Sequence, residues 1–274
     1  MNRFAITAVI ASAILPAAMA CAQESSGINR YNNINALRRS AEAGKSNSQL
    51  KLGYMYYRGI GVSRDYAKAT KWFRRAALNA NSDAEFYMGV IYDDGDGIKQ
   101  DPIKAVEWYR RAAAAGNLSA QFNLGAAYDF GHGTRQSYRL AVKWYRMAAE
   151  RGFHAAQFSL AYMYYLGHGV QKNYAIAAKW YLRSARGGFA PAEFKLGVIY
   201  AGGQGVPLNL STAYFWTAVA KDNPSASSQL QSEAVNNLSI LASQLNYTEI
   251  KMLKAKAAVW SEMHQSKFGG TGSG

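Results

Sequence analysis

The chain has 274 residues, of which 49% are apolar, so it can bury a sizeable core either as one large domain or as an array of repeats. Lys and Arg number 31 against 17 Asp and Glu, and the net charge of +14 favours an acidic protein, anionic lipid or nucleic acid as partner. A single cysteine excludes a disulfide within one chain.

The first twenty residues are typical of a cleaved signal peptide. Arg3 supplies a positive charge, residues 4–15 form an apolar run that Pro16 interrupts, and residues 18–20 give a small-x-small pattern. The run is too short and wrongly flanked for a spanning helix, and no later segment is apolar enough to span. We therefore expect a periplasmic protein. An exported chain rarely meets nucleic acid, so the basic charge favours an acidic protein or an anionic membrane surface.

Cys21 directly follows this segment and leaves two alternatives open. It could be the lipid-modified first residue of a lipoprotein, or cleavage could occur on either side of it without lipidation. Ala18 stands where a lipoprotein signal usually has Leu, which favours the second alternative. We expect residues 21–35 to be flexible, and residues 269–274 resemble a linker added in cloning, which carries no fold information.

Residues 36–221 repeat at a constant interval of 36. A tyrosine, a Gly-x-Gly, an alanine and a tryptophan recur in five units without an insertion, and the tryptophans are Trp72, Trp108, Trp144, Trp180 and Trp216. Residues 36–44 match the second half of a unit, and residues 222–268 break the pattern. The sequence therefore predicts five repeats with a half-repeat before them and a C-terminal cap of two helices, at about 232–244 and 248–266.

Each unit is predicted to form two helices. The Gly-x-Gly ends the first helix, because glycine accepts the left-handed conformation that a helix C-terminus needs. The second helix begins near Asp65, Asp101 or Asn173, which are suitable N-caps, and Pro102 fits a first turn. The tryptophans and the alanine pairs of the second helices are predicted to form the core.

These residues resemble the signature of Sel1-like repeats, relatives of the tetratricopeptide repeat: Leu124-Gly125, Tyr128, Gly131-x-Gly133, Ala141, Trp144-Tyr145 and Ala148-Ala149. The resemblance implies an all-α, right-handed solenoid of five 36-residue helix–turn–helix repeats with helical caps. It also implies an adaptor, regulator or binding partner of the kind found in bacterial envelopes. One branch of the family has a disulfide in each repeat, and the single cysteine excludes that branch.

No constellation for catalysis is evident, and we predict neither catalytic residues nor a cofactor or metal. Asp96, His132 and His168 lie between the paired loop glycines and could form a weak metal site. Two or three ligands without supporting groups rarely hold a metal, which favours a variable, exposed loop position. Residues 93–97 faintly resemble a calcium loop but lack its distal glutamate.

Function is then expected on a surface, with the first helices lining a concave face and the second helices a convex one. Tyrosines and arginine are favoured interface anchors, and three aspartates make an acidic centre in an otherwise basic chain. The predicted partner-binding residues are Tyr54, Tyr57, Arg58, Tyr87, Asp93, Asp94, Asn123, Asp129, Phe130, Tyr162 and Tyr165. The tyrosines could equally stack on the next repeat. The basic residues of the second helices form either a solvated face or an electrostatic dock.

The resemblance suggests two functions. Exported, basic Sel1-like proteins resemble immunity proteins that neutralise phospholipase effectors of type VI secretion by blocking the active site, which implies a secreted lipase-type partner and a free monomer. The alternative is a cell-envelope adaptor or regulator that organises a protein complex or restrains a membrane sensor. A hydrolase would need a nucleophile constellation that the sequence lacks.

Overall fold

The computed structural model describes the backbone of residues 27–269 and the side chains of residues 34–264. This part of the chain contains thirteen helices and no strand, and none of these helices is long and apolar enough to cross a membrane. The predicted signal peptide, Cys21 and residues 270–274 lie outside the described residues. The helices are α1 Gly27–Glu42, α2 Ser46–Arg58, α3 Tyr66–Leu78, α4 Ser82–Asp94, α5 Pro102–Ala114, α6 Leu118–Phe130, α7 Tyr138–Glu150, α8 His154–Leu166, α9 Tyr174–Arg186, α10 Ala190–Gly202, α11 Leu210–Asp222, α12 Ser228–Ala242 and α13 Tyr247–Gly269.

Helices α2 to α11 form five pairs, here called repeats 1 to 5, and each of these ten helices has 13 residues. The first helices are α2, α4, α6, α8 and α10, and the second helices are α3, α5, α7, α9 and α11. The chain divides into two compact units, an N-terminal unit that ends at Met147 and a C-terminal unit that begins at Ala148. In the N-terminal unit α1 to α6 pack in sequence. In the C-terminal unit α8 to α11 pack in sequence, and α12 and α13 both pack on α11, so the predicted all-α solenoid is confirmed.

The predicted helix ends are confirmed. Asp65 caps α3 by accepting the backbone N–H of Lys68 at 2.9 Å, and Asp101 and Asn173 cap α5 and α9 in the same way. The five glycines that follow the first helices have φ between 62° and 80°, the left-handed region predicted for them. Helix α1 begins at Gly27, ahead of the predicted half-repeat at residue 36.

In repeats 1 to 4 the aromatic residue that follows the tryptophan lies at the centre of the core, whereas Thr217 follows Trp216 in repeat 5. Phe73, Tyr109, Tyr145 and Tyr181 are at most 3% exposed. The ring of Tyr109 lies against Gly89 of the preceding helix so closely that a Cβ there would stand 2.5 Å from Tyr109 Cδ1. The absence of a side chain at Gly89 therefore lets α4 and α5 approach.

The tryptophans contribute less to the core than predicted. Trp72 and Trp216 are buried, whereas Trp108, Trp144 and Trp180 are only partly buried. Arginine guanidinium groups lie over three of these rings, at 4.6–4.9 Å from the centroids of Trp72, Trp108 and Trp180. The rings are only partly in the core because the smaller neighbouring aromatic occupies the space between the helices.

Buried amides join consecutive repeats. Gln49, Gln121 and Gln157 each donate from Nε2 to a backbone carbonyl of the preceding helix, at 3.0–3.2 Å. Glu193 occupies the corresponding position in repeat 5, where it is 1% exposed and accepts Nδ2–H of Asn223 at 2.9 Å. Burial raises the pKa of Glu193 to about 7, and the hydrogen bond from Asn223 offsets only part of this increase.

The variant E193Q should therefore change how stability depends on pH. Because the pKa of Glu193 is raised on folding, its contribution is fully present below its unfolded pKa and is lost as pH rises through about 7. In urea unfolding we expect E193Q to match the wild type near pH 4 and to exceed it by about 2 kcal/mol at pH 8.5.

The matched control is E85Q, since Glu85 holds the same repeat position but is only partly buried. The unfolding free energy of E85Q should exceed that of the wild type by less than that of E193Q does at pH 8.5. A constant difference between E193Q and the wild type across this range would contradict the buried, protonated Glu193.

Candidate protein-binding surface

The predicted tyrosines of the N-terminal unit form an aromatic cluster. Tyr87 stacks on Phe73 with centroids 4.9 Å apart, and the rings of Tyr54 and Tyr57 lie 5.6 Å and 6.1 Å from that of Tyr87. Tyr54 is 8% exposed, whereas Tyr57 and Tyr87 are half-buried. Burial raises the pKa of both Tyr57 and Tyr87. The rings hold repeats 1 and 2 together, and mainly Tyr57 and Tyr87 leave area for a partner.

Two of the predicted aspartates serve the core. Tyr109 donates its hydroxyl to Asp93 Oδ2 at 3.1 Å, and Tyr145 donates to Asp129 Oδ2 at 3.3 Å. Burial and the charge of Asp93 raise the pKa of Tyr109, and Asn123 also shares a hydrogen bond with its hydroxyl. A buried hydroxyl needs such an acceptor, so Asp93 and Asp129 have an internal role in the core, where the sequence pattern predicted only contacts with a partner.

The middle residue of the Gly-x-Gly loop contacts the preceding repeat. His132 Nε2 lies 2.9 Å from Asp93 Oδ1, and Tyr165 donates its hydroxyl to Gln204 Oε1 at 2.8 Å, both at a separation of 39 residues. Asp96 shares a hydrogen bond with Tyr57 of the preceding repeat, at the same separation along the chain. These loop residues therefore join repeats. Across the described residues, no group of three or more His, Cys, Asp or Glu is placed to hold a metal ion.

Asp94 is the aspartate that faces outward. Its side chain is exposed, yet partial desolvation and then the charges of Asp93 and Asp96 raise its pKa to about 6. It is close enough to Tyr57 to contribute to the raised pKa of that hydroxyl. Arg58, the last residue of α2, is also exposed, and Phe130 at the end of α6 is half-buried. In the N-terminal unit the sequence-predicted residues thus leave Asp94, Arg58 and parts of three rings accessible.

The C-terminal unit has a different surface at the same repeat positions. Tyr165 stands where repeats 2 and 3 have Asp93 and Asp129. Its ring lies 5.1 Å from that of Tyr174 and 4.4 Å from the ammonium of Lys195. Tyr162 is half-buried, and burial lowers the pKa of Lys195. Here the face of the first helices carries tyrosines and a cation.

The basic residues of the second helices are mostly exposed and partly engaged. Arg75, Arg111 and Arg183 lie over tryptophan rings, while Lys68 and Lys104 pair with the N-cap aspartates at 2.8 Å and 2.9 Å. Exposed pairs of this kind contribute little to stability. These basic residues therefore form a solvated face that covers the tryptophan rings.

Stacked helix pairs with aromatic and charged side chains on one set of helices define an all-α scaffold of the kind that binds proteins. The Sel1 repeat pattern matches residues 46–81, 82–117, 118–153, 154–189 and 190–223. The chain therefore belongs to the Sel1 repeat family, whose repeats mediate protein–protein interactions. The predicted resemblance is confirmed.

The chain is similar to solved structures of other repeat proteins. A Sel1 repeat protein from Oxalobacter formigenes is 27% identical with a TM-score of 0.66, over 87% of this chain and 94% of that one. The protective antigen c5321 of uropathogenic Escherichia coli is 27% identical with a TM-score of 0.55, over 97% of this chain but 61% of the longer antigen. Immunity protein Pa5087 of Pseudomonas aeruginosa is 19% identical with a TM-score of 0.46, over 86% and 82%. No curated protein matches.

The internal role of Asp93 predicts a contrast between two tyrosine variants. Y109F removes the donor to Asp93 and should cost about 1 kcal/mol of unfolding free energy. Y181F removes a buried hydroxyl that has no hydrogen-bond partner in the described part of the chain, and should leave stability unchanged or raise it. Urea unfolding followed by circular dichroism measures both, and equal losses would contradict the assigned hydrogen bonds.

Proposed function

We propose that the chain is a non-enzymatic scaffold that binds a partner protein through its first helices, with the first-helix face of the N-terminal unit as the principal contact. The proposal rests on the face that α2 and α4 form, where Tyr57 and Tyr87 are half-buried and Asp94 is exposed close to Tyr57. Tyrosine buries a large area with few rotamers lost, and Asp94 gives the face a negative charge within a basic protein. Membership of a protein-interaction family supports this function.

The other polar groups of this region support a binding role rather than catalysis. Asp93 accepts from Tyr109 and bonds to His132, and Asp129 accepts from Tyr145. Groups that are engaged in the core hold the surface rigid. A rigid face lowers the entropy lost on association, which favours tight binding of a folded partner.

The finer form of the proposal concerns the partner. We propose that the chain acts in the periplasm as an immunity protein, which covers the active-site cleft of a phospholipase effector delivered by type VI secretion. It is supported by the signal-like segment at residues 1–20, by the net charge of +14 and by the resemblance to exported Sel1-like immunity proteins. The electrostatic part of such a complex weakens as salt rises.

The binding proposal is tested by paired charge reversals. D94K changes the charge of the proposed face, and E107K makes the same change on the exposed surface of α5. Wild-type and variant proteins are used to capture the partner from a cell-envelope extract, and affinity is then measured with the purified partner. We expect D94K to bind about tenfold more weakly and E107K to bind within about twofold of the wild type.

Equal affinities for D94K and E107K would show that the interface lies elsewhere on the chain. The identity of the captured protein tests the proposed immunity role. A lipase-type effector whose hydrolytic activity the chain inhibits would support the immunity role. Capture of a sensor or an assembly component in its place would overturn that role while leaving the binding function intact.

A further inference from the structure

One buried hydroxyl of the C-terminal unit lacks the acceptor that its counterparts have. In repeats 2 and 3 the buried tyrosine donates to an aspartate sixteen residues earlier. In repeat 4 the corresponding pair is Tyr181 and Tyr165, and the Tyr165 hydroxyl is directed to Gln204. The Tyr181 hydroxyl is buried and has no hydrogen-bond partner among the described residues. An unsatisfied buried donor of this kind destabilises the folded state.

A cation lies over the same Tyr165 ring. The Lys195 ammonium is 4.4 Å from the ring centroid, and the side chain is half-buried. Within the described part of the chain, no Asp or Glu forms an ion pair with Lys195. Burial lowers its pKa, so the charged form lacks part of its hydration. The corresponding residue of repeat 1, Lys51, is exposed.

Both groups would be satisfied by the same ligand chemistry. A carboxylate accepts hydrogen bonds only and neutralises an ammonium. It is also the group that Asp93 and Asp129 supply at this position in repeats 2 and 3. A phosphate is less suited, because phosphate sites favour a guanidinium fork, and the cations placed on these rings are lysines, Lys195 over Tyr165 and Lys172 over the adjoining Tyr174.

We propose that the face formed by Tyr162, Tyr165 and Lys195 binds an aspartate or glutamate side chain of the partner protein. This inference rests on the proposed binding function and names the chemistry of one contact. The Lys195 ammonium makes the first contact and requires no rearrangement. The Tyr181 hydroxyl is buried in the unbound chain, so the carboxylate reaches it only when the Tyr165 side chain turns away from Gln204. The hydroxyl then becomes a second donor.

The probe is acetylated, amidated pentaglutamate with a fluorescent label, and pentaglutamine with the same label is the uncharged control. Binding to the full chain is followed by fluorescence anisotropy at about 0.15 M salt, where long-range attraction to a basic protein is screened. We compare the wild type with K195M, and with K51M as a matched change at an exposed lysine of the same repeat position.

We expect saturable binding of pentaglutamate and none of pentaglutamine. K195M should weaken binding about tenfold, and K51M should stay within about twofold. Y181F should weaken binding about threefold, because it removes the second donor without removing a hydrogen bond of the unbound chain. Equal losses for K195M and K51M, or no saturable binding, would overturn the proposal.

The same variants separate this inference from the proposed function. Should K195M bind the captured partner as tightly as the wild type, the carboxylate contact is wrong while the scaffold function stands. Should no partner be captured at any salt concentration, the scaffold function loses its support, and the pentaglutamate comparison still decides whether Lys195 binds a carboxylate.

Discussion

The contact between an aromatic ring and a helix glycine determines how repeats 1 to 3 are packed. A Cβ at Gly53, Gly89 or Gly125 would lie 2.5–2.7 Å from the ring of the paired second helix, so that ring fills the space where a side chain would stand. When the ring belongs to tyrosine, the packing also buries a hydroxyl, which then needs an acceptor. Asp93 and Asp129 are placed at the ends of first helices to accept from Tyr109 and Tyr145. Core packing therefore determines part of the charge pattern on the first-helix face.

The repeats that depart from this pattern carry the unusual polar groups. In repeat 4, Tyr165 replaces the aspartate, and the Tyr181 hydroxyl is left without a described partner. In repeat 5, Glu193 replaces the buried glutamine, and burial raises its pKa to about 7. Both changes lie in the C-terminal unit, and the first of them is next to the half-buried Lys195. A regular scaffold thus carries local departures, and such departures are where specificity for a partner can arise.

Much of the fold could be predicted from the sequence because its signals are local. The interval of 36 residues can be counted directly in the sequence. The helix ends depend on a few neighbouring residues, namely the caps Asp65, Asp101 and Asn173 and the glycines after the first helices. The candidate site was harder, since the roles of Asp93 and Asp129 depend on the direction in which Tyr109 and Tyr145 are buried. The contact of His132 with Asp93 joins residues 39 apart. That spacing is present in the sequence, but it acquires meaning only when the loops are stacked on the helices of the preceding repeat.

In the proposed complex the partner contacts the first-helix faces, while the second helices form a solvated basic cover. Hydrogen–deuterium exchange of the chain with and without its bound partner distinguishes the two sets of helices, because it reports each helix separately. We expect new protection at the C-terminal turns of α2 and α4 and around Lys195 in α10, with exchange in α3, α5 and α9 unchanged. Protection concentrated in α3, α5 and α9 would instead place the partner on the basic face and would contradict the proposed binding surface.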